Sequence, residues 1–170
     1  MPPAAAPEIH WFVTAYVNGE DRLRFACTMK TGDTDVFWLT QRLANAVTKN
    51  LFDWLDKTVQ EDGFPELAHR VAQRSATAKR PKPPETTIPN APGWLVNSVN
   101  IRTAGKGLIL TFKDGAERSV VLRFDAQNLR RWLKVLHAQY RRSGWPMDLW
   151  PDWIADAAGI APNVQSGLLH

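Results

Sequence analysis

One cysteine, Cys27, is all the chain has, which excludes an intramolecular disulfide and any cysteine-based zinc site of the usual kind. The four histidines, His10, His69, His137 and His170, form no H-x-H or H-E-x-x-H pair, so no local template for a metal site exists. No apolar run approaches the roughly 18 residues of a membrane span, and no membrane partner is expected. The opening MPPAAAPEIH lacks the basic segment and apolar core of a secretory signal, so a cytoplasmic location is the expectation.

Catalytic signatures are equally scarce. There is no G-x-S-x-G stretch, and AGKG at 104–107 is too short for a phosphate-binding loop and reads as a hairpin turn. The acidic pairs Asp33/Asp35, Asp53/Asp56 and Glu61/Asp62 fall in predicted turns or on the polar side of a predicted helix. They read as solvated surface rather than as general acid–base pairs. No cofactor is implied, and a non-enzymatic role is favoured over an enzyme with a site assembled from the sheet.

What the chain does have is a hydrophobic fraction of 44% against a charged fraction of 22%, the balance of an ordinary globular protein. Its 170 residues suffice for one domain with a proper core. Eight tryptophans carry large buried area and are expected mostly in core and interfaces. The charge is segregated: residues 1–73 carry seven Lys and Arg against ten Asp and Glu, residues 74–142 fourteen against four, and residues 143–170 none against three. A basic block between acidic ends suits an anionic partner, or an acidic half docked on a basic one within or between chains.

Hydrophobic alternation and the turn residues Asn18-Gly19 and Thr31-Gly32-Asp33 predict strands near 9–17, 22–30 and 35–39. A helix follows, with Thr40 as N-cap and Leu43, Val47, Leu51, Trp54 and Leu55 at helical spacing. A shorter helix is predicted from Phe64 or Pro65 to Gln73. Residues 74–93, basic and proline-rich, read as a linker that serves as a solvated spacer, a basic arm or a polyproline docking peptide. The plan then repeats with strands near 94–102, 107–113 and 118–124, an N-cap at Asp125 and a helix over 126–142. The expected fold is α+β: two pseudo-repeated β-β-β-α units, 1–73 and 94–142, forming one compact two-layer domain with each antiparallel meander covered by its own helix. A tail, 143–170, follows, with a short helix near 151–158.

The stretch LRRWLKVLHAQYRRSGWP, residues 129–146, holds the main functional candidates. On a helical wheel Arg130, Lys134, His137 and Arg141 fall along one edge of the apolar stripe, where a cationic row is able to track a phosphate backbone. Arg80 and Lys82 in the linker extend that surface. The alternative is basic stems draped over the edge of a core, with Arg141 and Arg142 complementing the helix dipole. Trp145, Trp150 and Trp153 in the acidic tail are either packed on the chain itself or a surface for a protein partner. The leading expectation is a non-enzymatic interaction or accessory protein that self-associates or binds a protein partner, with nucleic-acid binding through the basic block as the alternative.

Overall fold

A computed structural model of the protein describes residues 5–60, 63–78 and 89–154. In chain order the elements are β1 (Ile9–Val17), β2 (Arg22–Met29), β3 (Thr34–Leu39), α1 (Gln41–Thr58), α2 (Pro65–Thr77), β4 (Trp94–Leu95), β5 (Ser98–Ala104), β6 (Gly107–Lys113), β7 (Ser119–Phe124) and α3 (Ala126–Ser143). The fold is α+β, as the patterning predicts. Both predicted N-caps form: Thr40 accepts from the Leu43 amide at 3.3 Å and Asp125 from the Asn128 amide at 2.7 Å, meeting donors that a helix start leaves unpaired.

The strands form two sheets, β1-β2-β3-β4 and β5-β6-β7. The strand expected over 94–102 is broken at Val96 and Asn97, which divide their allegiance. Val96 N donates to Trp38 O on β3 at 3.0 Å, and Asn97 N donates to Lys113 O on β6 at 2.7 Å. The chain thereby passes from one sheet to the other. At the opposite edge, Glu8 bridges Val121 in parallel, and Val121 N donates to Pro7 O at 2.9 Å. The two sheets therefore meet at both lateral edges, and the strand order closes into a ring.

The exchange is reciprocal. Residues just before β1 pair in parallel with β7, and β4, just before β5, pairs in parallel with β3. The helices cross over too: among the strands α3 packs chiefly on β1, and α1 reaches β5 as well as β2. This corrects the expectation that each meander is covered by its own helix. An amphipathic helix needs an apolar surface, and here the second half supplies the helix for the first strand.

Inside the ring, Phe25 stacks on Phe37 with centroids 4.8 Å apart, and Phe37 meets Phe112 of the other sheet at 4.9 Å. Trp132 of α3 stacks on Phe124 at 5.3 Å and donates its indole N–H to Thr14 of β1 at 3.0 Å. One continuous core results. Outside, Gly93 lies on β3 with φ of +81°; a Cβ there would stand 2.7 Å from a Val36 methyl and 2.9 Å from Trp38 Nε1. Only glycine accepts both that φ and that approach. Of the predicted linker, residues 74–77 belong to α2, and 79–88 lie outside the described residues.

Candidate interaction surface

Helix α2 is inside out. Its buried side chains are His69, Gln73 and Ala76, while Phe64 at its N-cap is 77% exposed, Leu67 58% and Val71 61%. At 100° per residue the three large apolar groups share the outward face, and globular helices ordinarily turn that face inward. Pro65 at the first helical position starts the helix without a side-chain cap, because its fixed φ suits that place and its missing N–H needs no partner.

Polar chemistry holds the inner face. Arg130 of α3 directs Nη2 to His69 Nδ1 at 3.0 Å, and His69 Nε2 lies 2.9 Å from Asp56 Oδ1 on α1. A guanidinium only donates, so Nδ1 is the acceptor and Nε2–H donates to the carboxylate. The neutral imidazole thus relays between a buried cation and the exposed Asp56. Burial, chiefly, lowers the His69 pKa; the Asp56 hydrogen bond acts against this and the Arg130 charge with it. With both ring nitrogens engaged, His69 positions its neighbours rather than serving as a base. Gln73 Nε2 donates to Arg130 O at 2.8 Å and Arg131 Nε to Ala76 O at 2.7 Å, which ties α2 to α3 along its length.

Trp153 closes the arrangement. Its ring lies on that of His69 at 4.5 Å, and the Arg130 guanidinium sits 5.3 Å from its centroid, close enough for a cation–π contact. Asp56, Val59, Gln60, Pro65, Glu66, His69 and Trp153 line an open cleft of about 450 Å³ beside the first turn of α2. Among the described residues no group of His, Cys, Asp and Glu is arranged to hold a metal ion, and no helix is long and apolar enough to cross a membrane.

The cationic row read from the helical wheel is not a surface row. Arg130 and His137 are buried, Lys134 is half-buried, and Arg141, with Arg142, is exposed. Desolvation lowers the Arg130 pKa to about 10, and desolvation with the nearby Arg141 charge lowers that of His137 to about 4. The wheel missed this because the groups that bury Arg130 come from α2 and the tail. Arg80 and Lys82 lie outside the described residues. Exposed basic groups do gather elsewhere: Arg102 and Arg123 flank Ile109 across the outer face of β5-β6-β7, with Lys106 and Arg118 at its turns. Arg123 is bridged to Glu8 at 2.8 Å.

Trp145, Trp150 and Trp153 are buried on the chain itself. Trp145 donates to Asp21 at 2.9 Å, and Trp150 packs edge-on against Phe52, His137 and Tyr140. Of the predicted tail helix, residues 152–154 are helical and the remainder lies outside the described residues. The exposed stripe on α2 was missed by sequence reading; its signal was the apolar set Phe64, Leu67 and Val71 recurring at i, i+3 and i+7 opposite His69 and Gln73.

No family model matches the chain, and neither a curated protein nor a solved structure is significantly similar to it.

Proposed function

We propose that the protein is a non-enzymatic interaction module whose working surface is the outer face of α2. One observation carries the reading: an amphipathic helix anchored by its polar side displays Phe64, Leu67 and Val71 to solvent. Exposed apolar patches of this kind are characteristic of protein contact sites, and helices dock in grooves through residues at such spacing. The His69–Asp56 and Arg130 contacts support it further, because they fix the helix before binding and so reduce the ordering cost of association. The reciprocal strand exchange supports reading the two halves as copies of one βββα unit.

The test is photo-cross-linking inside the cell of origin, with a benzophenone amino acid at Leu67 or Val71 and, as control, at Lys106. Adducts of discrete mass, identified by mass spectrometry and formed from the α2 positions alone, are expected. Equal labelling from Lys106, or no adduct, overturns the assignment.

A second reading, nucleic-acid binding, rests on Arg102, Lys106, Arg118 and Arg123 around the outer face of β5-β6-β7. Titration of labelled single- and double-stranded oligonucleotides should then give binding that falls steeply with salt. Reversing Arg102 and Arg123 to Glu should flatten that slope.

A further inference from the structure

We infer that the occupant of the α2 face is a second copy of this chain, with the two α2 helices antiparallel across a two-fold axis. The inference rests on the interaction reading above and adds the partner and its orientation. Three observations lead to it.

First, the face is self-complementary in shape. Leu67 and Val71 mark its middle, Phe64 one end, and the neighbouring Ala68 and Ser75 are small. A two-fold axis level with the gap between Leu67 and Val71 sets Leu67 of one copy against Val71 of the other, with Phe64 closing each end. Isologous contacts of this kind are the commonest route to closed dimers.

Second, the charges choose the orientation. Glu66, Arg70 and Arg74 lie along one flank of the stripe, acidic near the helix start and basic toward its end, with Glu66 bridged to Arg70 at 2.9 Å. An antiparallel two-fold brings the same flank of both copies together and reverses the sequence of charges. Glu66 of one copy then stands beside Arg74 of the other. A parallel pair sets that flank against the small residues instead. Exposed pairs of this kind add little affinity, but they suppress the wrong arrangement, and antiparallel helix dipoles act in the same sense.

Third, the edge of β1 is in part already engaged within the chain. The open side of β1 is occupied at Tyr16, whose N–H donates to Gln139 of α3 at 2.9 Å, and at Glu8, which bridges β7. Helix α2, by contrast, is an outer layer packed on α3.

Sedimentation of the full chain over a wide concentration range is the first measurement. The weight-average mass should rise from monomer toward dimer, and Leu67→Glu should hold it at monomer. Glu66→Arg should weaken the dimer, and adding Arg74→Glu should restore it.

Orientation is read with a short bis-maleimide on single-cysteine variants, Cys27 being buried. At 1.5 Å rise per residue, an axis level with position 69 offsets Ala68→Cys from its twin by about 3 Å along the helix and Ser75→Cys by about 18 Å. The first should cross-link and the second should not.

A monomer at every concentration overturns the second-copy inference while the in-cell adduct still decides the interaction reading. A dimer indifferent to Leu67→Glu, failed charge restoration, or equal cross-linking of both cysteine variants also overturns it.

Discussion

His69 and Trp153 lie face to face, their ring centroids 4.5 Å apart and their planes within 9°, which joins the middle of the chain to its last described turn. Trp153 is buried and covers the Arg130 guanidinium as well. Trp153→Ala should cost about 3–5 kcal/mol, the usual range for emptying an aromatic site, and should loosen α2 first. Urea unfolding checks the stability, and hydrogen exchange at α2 amides checks the location. Protection lost uniformly across β1 and β2 as well would contradict a local role for the stack.

The outer face of α2 should respond in the opposite way. Leu67 is 58% exposed, so Leu67→Glu should change monomer stability by less than about 0.5 kcal/mol. Ala76, buried on the inner face beside α3, should not tolerate Glu at all. Paired thermal melts at low concentration, where association does not contribute, separate the two.

Acid should weaken the fold. His137 is buried and its pKa is lowered to about 4 by desolvation and the Arg141 charge, from an unperturbed 6.5. The unfolded chain then binds the proton more readily than the folded one, so this contribution is complete above pH 6.5 and is lost as pH falls toward 4. The loss is on the order of 3 kcal/mol, and His69, shifted in the same direction, adds to it. Denaturant midpoints measured across that window should fall, and His137→Phe should remove much of the slope.

Cys27 should be inert until the protein unfolds. It is buried between β1 and β3 with its thiol directed to Asp35 O at 3.4 Å, and burial raises its pKa to about 12. The thiolate is the reactive form. Titration with a chromogenic disulfide should give no reaction in buffer and one thiol in denaturant; fast reaction of the native protein would refute this placement.

Local signals carried most of the fold. Thr40 and Asp125 were recognisable caps, Asn18-Gly19 and Gly105-Lys106 recognisable turns, and the strands follow from alternation that only two-sided burial would have blurred. The break at Val96 and Asn97 was not recognisable, because what changes there is the neighbour that each backbone amide bonds. The sequence pattern ends α2 at Gln73, since the following Arg-Ser-Ala-Thr resembles a linker; tethering by Arg131 to Ala76 extends it to Thr77. For Arg130 and His137 the helical wheel placed both correctly at the edge of the apolar stripe. Their burial depends on α2, Trp150 and Trp153, which no single-helix projection contains.

The reciprocal exchange of strands and helices has a consequence for biosynthesis. While the ribosome has released only β1 to β3, the inner surface of Phe25 and Phe37 has neither Phe112 nor Trp132 to meet it, and β1 lacks α3. Neither half can reach its final energy minimum before the other has emerged, so completion waits for non-local closures, the slow kind. A nascent chain of this topology spends its elongation time with aromatic surface uncovered, the condition under which partly folded chains are most prone to aggregate.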